Sequence, residues 1–202
     1  MFIICKRIFD FISSLILFLF ILPGFCVLAI MVRVKLGSPI FFYQARCTKN
    51  KKVFYIKKFR SMTDERNADG ELLPDEERIT RFGKFLRSSS LDEIPQLINI
   101  INGDMSVIGP RPLPPEYNDY YSKYEENRFL VKGGLIQPEV LHNKILPSWD
   151  EQLKWEADYA LNLNVKTDIR IILAVFNTLI NRNKENYGEI FRDSLINERK
   201  GK

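Results

Sequence analysis

The most prominent pattern in the chain is an unbroken apolar run near its start. Phe11 to Val32 is 22 residues without a charge, and within it only Ser13, Ser14, Pro23 and Gly24 are not apolar. A straight helix of that length reaches about 33 Å, enough to cross a hydrocarbon core. A cleaved signal peptide, a single span, a re-entrant hairpin and a buried core helix compete for it. No small-x-small site follows the run, which argues against cleavage. A small soluble domain seldom hides so long an uncharged stretch. Pro23 and Gly24 stand near its middle, where a missing backbone donor and a permissive neighbour favour a bend. Lys6 and Arg7 precede the run, and Arg33 and Lys35 follow it. Basic flanks favour the cytoplasmic side. One span cannot place both flanks there, whereas a helix that breaks at Pro23 and returns can. The hairpin is therefore the expectation.

After the run the period changes. Ile40–Tyr43 and Val53–Ile56 are rich in β-branched and aromatic residues and read as short strands. Asp64 to Glu77 is acidic, carries Asp69-Gly70 and Pro74, and reads as a solvated loop. Arg78–Arg87 predicts a short helix with Phe82, Phe85 and Leu86 on its apolar side. A second is expected to follow Ser90, which with Glu93 has capping-box spacing, and to end at Gly103. Glu116–Val131, Trp149–Leu161 and Val165–Ile180 have helical spacing, the last with Val165, Ile169, Ile172, Leu173 and Phe176 on one side. Asn181 onward is charged and expected to fray. The fold class is α+β, mainly helical with little β-sheet, with amphipathic surface helices beside the membrane hairpin. The expected organisation is a membrane segment at 1–36, a catalytic body at 37–182 and a charged tail at 183–202.

Charge narrows the function. The net charge of +5 is only mildly basic, and no nucleic acid is implied by it alone. Its distribution is uneven: Phe11 to Met62 has no acidic residue but carries Lys49, Lys51, Lys52, Lys57, Lys58 and Arg60 among its cations. Such a stretch suits anionic lipid or phosphate. Three scattered cysteines and one histidine, His142, exclude a disulfide framework, a His₂ or His₃ metal site and most histidine catalysis. Carboxylates, with or without a hard cation, are the remaining reagents.

Asp92 and Glu93 are the leading pair. Neighbouring helical residues do not point the same way, so two roles are easier than one shared proton. Simple capping of a first turn is the bland alternative. Arg111 is held between Pro110 and Pro112, a rigid way to present a guanidinium fork to phosphate oxygens. Lys58, Arg60 and Arg87 could add phosphate contacts, or Lys58 and Arg60 could lie at a lipid surface. A carboxylate pair, a cationic surface and no required histidine fit phosphoryl transfer, in which the protein positions groups and neutralises charge.

These residues also carry a resemblance. Lys58-Phe59-Arg60-Ser61-Met62, Arg87-Ser88-Ser89-Ser90-Leu91-Asp92-Glu93-Ile94-Pro95-Gln96 and Gly103 through Pro112 resemble the bacterial sugar transferases, specifically the small monotopic phosphoglycosyl transferases. The resemblance implies transfer of a sugar-1-phosphate from a UDP-sugar to a polyprenyl phosphate such as undecaprenyl phosphate, an early membrane step of glycoconjugate assembly. Asp92 would be the nucleophile that forms a phosphosugar-aspartyl intermediate and expels UMP. Mg²⁺ would sit at Asp92, Glu93 would support the site, and Arg87 and Arg111 would bind phosphate. The implied location is the cytoplasmic face of a bacterial inner membrane. Inner-membrane lipid, other glycan-assembly enzymes and a second copy in a homodimer are the implied partners. The stretch from Val131 to Lys144 departs from the family pattern, with Lys132 and Lys144 where arginines are usual, and lysine cannot reproduce a bidentate fork. A weakened or non-catalytic homologue that binds lipid phosphate or a partner is the competing expectation.

Overall fold

The computed structural model describes residues 2–142, 144, 146–181 and 193–200. The apolar run becomes helix α1, Phe2–Leu36, which includes Pro23. The helix continues through Pro23 rather than stopping there. The helix is long and apolar enough to cross a membrane, and most of its side chains are exposed, Phe20 by 83% and Ile30 by 63%. Beyond it lie strands β1 (Phe41–Cys47) and β2 (Val53–Phe59), then helices α2 (Asp75–Arg78), α3 (Arg81–Ser88) and α4 (Gln96–Asn102). Strand β3 (Ser106–Ile108) pairs in parallel with β4 (Gly134–Ile136), with Ser106 opposite Gly134 and Ile108 opposite Ile136. Helices α5 (Trp149–Leu161), α6 (Val165–Asn181) and α7 (Leu195–Lys200) complete the described chain. The fold is mainly helical with few strands, as the pattern predicts.

Two compact units divide the contacts. The first comprises Met1–Asp10, Ala45–Phe54 and Gly103–Lys202, and the second Phe11–Gln44 and Tyr55–Asn102. In the second unit, Val32 and Leu36 of α1 bury against Phe59 and Leu86. Phe41 stacks on Phe59 at 5.5 Å between centroids, and Phe25 reaches Phe59 at 5.0 Å. Burying one such ring contributes about 1.5–3 kcal/mol. Gly83 lets α3 lie against the main chain: a Cβ there would stand 1.8 Å from the Ser61 carbonyl oxygen.

In the first unit, α5 runs through the core, with Leu153, Glu156 and Ala157 fully buried. Its start follows from a Ser148–Glu151 capping box, in which each side chain satisfies the other's backbone N–H. The first turns of α1 are tied to this unit by polar bonds. Lys6 pairs with Asp168 at 2.7 Å, and the Ser106 hydroxyl donates to the Asp10 carboxylate at 2.6 Å.

Three expectations differ from the outcome. Ser90 does not cap a helix: it adopts a left-handed backbone at φ 57°, Leu91–Glu93 forms a 3₁₀ turn, and α4 begins after Pro95. Proline removes the N–H that an earlier helix would need. Glu116–Val131 is not one α-helix but two 3₁₀ segments, Pro115–Tyr120 and Glu125–Leu130. The tyrosines there are drawn into packing, Tyr117, Tyr120 and Tyr121 lying against the cluster of Leu113, Trp149 and Leu153. Part of the charged tail is ordered: Leu195 is fully buried and starts α7, while 183–192 and 201–202 lie outside the described residues.

Candidate active site

Asp92 lies in the turn between α3 and α4, and only 7% of it is exposed. A carboxylate so placed loses hydration, which favours the neutral form. Burial is accordingly the largest influence and pushes the Asp92 carboxyl above its ordinary value. Lys58 opposes this, the neighbouring Glu93 adds to it, and Arg87 opposes it again. The cations thus hold the ionised form available in a setting that would otherwise suppress it.

Lys58 reaches the pair from β2. Its Nζ donates to Glu93 Oε1 at 2.6 Å, with both side chains partly exposed. Glu93 therefore takes the ion pair, and Asp92 is left to the field of the same cation. Arg87, near the end of α3, donates from Nε to the Ser61 hydroxyl at 3.0 Å, which aims the exposed guanidinium. The structure brings Asp92, Glu93, Lys58 and Arg87 together within the second unit. Arg60 belongs to that unit but is turned to its own chain. Its donors meet the carbonyls of Ser38 at 2.7 Å and Met62 at 2.9 Å, and it pairs with Asp64.

Two positions not anticipated from sequence hold this geometry. Asn99 on α4 is fully buried. Its Oδ1 accepts the Lys57 N–H at 3.0 Å, and its Nδ2 donates to the Tyr55 carbonyl at 2.9 Å. These bonds fix α4 to β2 next to Lys58. Ser61 is the second, through Arg87. Asn99 has no sequence signal, since an amide reads as an ordinary polar position, while Ser61 stands in the Lys58–Met62 stretch of the resemblance without a role assigned to it.

Pro110, Arg111 and Pro112 lie in the first unit. Prolines flank Arg111, so it supplies the one backbone N–H of those three residues. That N–H donates to Glu156 Oε1 at 2.9 Å. Arg128 closes the other side, with Nε donating to Glu156 Oε2 at 2.7 Å and an Nη donating to the Arg111 carbonyl. Arg128 and Glu156 are 1% and 0% exposed at their side chains. The Pro110 carbonyl accepts from the Gly134 N–H at 2.9 Å. A Cβ on Gly134 would stand 2.0 Å from the Gly109 nitrogen, so this approach needs glycine. The main chain of the turn is thus held on both sides while the Arg111 side chain remains exposed. Arg128 and Glu156 escape sequence reading because each looks like one more surface charge in a charged helix.

The departing stretch also resolves into parts. Lys144 pairs with Glu151 at the start of α5, at 2.6 Å. Lys132 lies near Arg7 beside Gly103. His142 stacks on Trp155 at 3.8 Å, a packing contact.

The described residues thus hold an apolar helix of membrane-crossing length, a buried carboxylate flanked by cations and a rigid Pro-Arg-Pro turn. The chain belongs to the bacterial sugar transferase family, whose model matches residues 1–182. It is 38% identical over 171 residues to the "Uncharacterized sugar transferase EpsL" of Bacillus subtilis (strain 168), covering 84% of each chain. It is 33% identical over 183 residues to the UDP-glucose:undecaprenyl-phosphate glucose-1-phosphate transferase of Xanthomonas campestris pv. campestris, covering 85% of this chain and 38% of that one. It is 30% identical over 183 residues to the UDP-N-acetylgalactosamine-undecaprenyl-phosphate N-acetylgalactosaminephosphotransferase of Aeromonas hydrophila, covering 87% and 43%. The chain therefore spans less than half the length of these two relatives with a named reaction.

Proposed function

We propose that this protein transfers a sugar-1-phosphate from a UDP-sugar to undecaprenyl phosphate through a covalent intermediate on Asp92. The observation that carries the reading is Asp92 itself, a buried carboxylate whose neighbour Glu93, not Asp92, takes the ion pair with Lys58. A nucleophile must keep a lone pair available, and a positioned cation must keep it ionised.

In the first step an Asp92 carboxylate oxygen attacks the β-phosphorus. The bond from that phosphorus to the bridging oxygen breaks, and UMP leaves with the electron pair. In the second, an oxygen of the lipid phosphate attacks the same phosphorus, forming the diphosphate-linked sugar and returning Asp92 as carboxylate. Lys58 stabilises ionised Asp92, and Arg87 and Arg111 are read as holding phosphate oxygens. Glu93 keeps Lys58 in place, and Arg60 braces the chain after β2.

Magnesium fits this donor set as a shared ligand rather than a protein cage. Among the described residues no three His, Cys, Asp or Glu side chains gather to hold a metal. Magnesium commonly takes one or two carboxylates and completes its shell with substrate phosphates and water. Asp92 would hold it, and its chemistry there would be neutralisation of diphosphate charge.

The membrane path is read as re-entrant, on the cytoplasmic face of an inner membrane. Lys6 and Asp10, which precede the apolar run, bond to Asp168 and Ser106, which follow it, so both flanks belong on one side. Phe18 and Phe25 support a bend at Pro23. Their ring centroids are 5.3 Å apart, whereas seven residues of straight helix rise about 10.5 Å. Exposed Val165, Ile169, Leu173 and Phe176 give α6 an apolar stripe suited to lie on a bilayer.

The test is UMP release by the full chain in lipid particles with undecaprenyl phosphate, Mg²⁺ and a panel of UDP-sugars. Release by the parent and none by Asp92→Asn is expected. Full activity in that variant would refute the nucleophile.

A further inference from the structure

Helix α7 lies beyond residues 1–182, the part of the chain that the family model matches, and the reaction above makes no use of it. Its residues are nonetheless built into the first unit. Leu195 is fully buried in the cluster of Leu113, Trp149 and Leu153, against which Tyr117, Tyr120 and Tyr121 pack. The Trp149 indole N–H donates to the Asp193 carbonyl at 2.9 Å. Arg199 then spans two elements. One Nη donates to Glu125 Oε1 at 2.7 Å and to Asp150 Oδ1 at 2.6 Å. Glu125 is itself buried, and its other oxygen accepts the Ser122 N–H at 2.7 Å. A guanidinium shared by two carboxylates, one of them buried, fixes geometry more firmly than an exposed pair does.

The elements that Arg199 joins are the two that hold the Pro-Arg-Pro turn. Glu125 opens the 3₁₀ segment Glu125–Leu130, which carries Arg128. Asp150 lies in the first turn of α5, which carries Glu156. Arg128 and Glu156 hold Arg111 by its carbonyl and its N–H. Arg199 therefore repeats, from the start of the same two elements, the join that Arg128 and Glu156 make further along. Leu195 supplies a second route. Leu113, in its cluster, directly follows Pro112, and Tyr121, packed on that cluster, accepts from an Arg128 Nη at 3.2 Å.

We propose that Leu195 and Arg199 are positioning residues for the Arg111 turn, with α7 bracing from behind the main chain that presents this guanidinium to substrate phosphate. The proposal rests on the reading of Arg111 as a phosphate-holding residue. Misplacing a binding group by about 1 Å can cost about a hundredfold in rate, so a brace distant from the reacting atoms has a measurable effect.

Hydrogen exchange of the full chain in lipid particles, resolved to single amides, tests the brace without turnover. The Arg111 N–H should exchange about tenfold faster in Arg199→Gln, and at least as much faster in Leu195→Ala, because the turn opens locally. The Ser106 N–H, which bonds to the Gly133 carbonyl in the same unit, should exchange as in the parent. Glu126→Gln breaks an exposed pair with Lys51 on the same 3₁₀ segment and should change neither amide. In the UMP-release assay kcat/KM for UDP-sugar should fall about tenfold in Arg199→Gln. Added to Arg111→Ala, the same substitution should cost almost nothing more, since residues that act through one another are not additive. An unmoved Arg111 amide, equal acceleration at Arg111 and Ser106, or an independent loss in the double variant would overturn the proposal. Arg199→Gln carries the test alone if Leu195→Ala fails to fold. Acceleration confined to Arg111, in a parent that releases no UMP from any sugar nucleotide, would leave the brace standing and remove the proposed reaction.

Discussion

Asp92 and Glu156 are both buried carboxylates, one in each unit, and their surroundings differ. Glu156 is saturated: Arg128, the Arg111 N–H and Gln152 all donate to it, the last at 3.1 Å. Its two oxygens are engaged by donors, so the residue holds a turn in place and has no capacity left for chemistry. Asp92 sits near cations without being captured by them, and burial raises its proton affinity. The difference separates a scaffold from a reagent. A buried charge with every lone pair engaged fixes geometry, while one whose neighbouring cation pairs elsewhere is costly to keep ionised.

The largest expected effect breaks the reagent side. Asp92→Asn should lower turnover by about a thousandfold or more, since the covalent route is lost. The same variant should melt higher. A carboxyl whose folded value is raised contributes stability below its unfolded value and loses it as pH rises through the folded value. At neutral pH ionised Asp92 is therefore a net cost that the amide removes. Thermal unfolding alongside UMP release checks both; a lower melting temperature would make Asp92 structural.

Next comes the scaffold side. Glu156→Ala leaves Arg128 buried and unpaired, at a cost of about 3–5 kcal/mol. Denaturant unfolding should show that loss, and replacing Arg128 and Glu156 together by Met and Leu should recover much of it. Turnover should stay low in the double variant, because the Arg111 main chain is no longer held.

A smaller effect sharpens the electrostatics. Lys58→Met removes the main influence that lowers Asp92's proton affinity, so the acidic limb of the kcat/KM profile should move to higher pH. An unmoved limb would detach Lys58 from Asp92.

The smallest concerns Glu139, also in the first unit, whose carboxyl is pushed up to about 8 by burial first and by Glu156 second, against Arg111 and Arg128. Its stabilising contribution is present below its unfolded value and is lost as pH rises through about 8. Stability should fall as pH rises from mildly acidic to about 8 in the parent and less so in Glu139→Gln.

Local pattern carried much of this molecule. The apolar run, the two short strands that follow it, α5, α6 and the helix end at Gly103 follow from hydrophobic period and glycine. Asp92, Glu93 and Arg111 were marked by unusual neighbours: two adjacent acids and an arginine between prolines. What pattern could not supply was pairing at long range. Asp10 looks like a stray acid at the edge of a membrane segment until Ser106 is found against it. Ser90 has the spacing of a cap, yet a left-handed backbone and Pro95 redirect the chain.

The sequence by itself determined the family, the long apolar helix and the residues available for chemistry, because those are properties of composition and short-range order. The tertiary structure decided which of several cations serves which carboxylate: Lys58 to Glu93, Arg128 to Glu156, Lys6 to Asp168. The reason is physical. Charge pairing is set by distance and burial, and neither is a function of position along the chain.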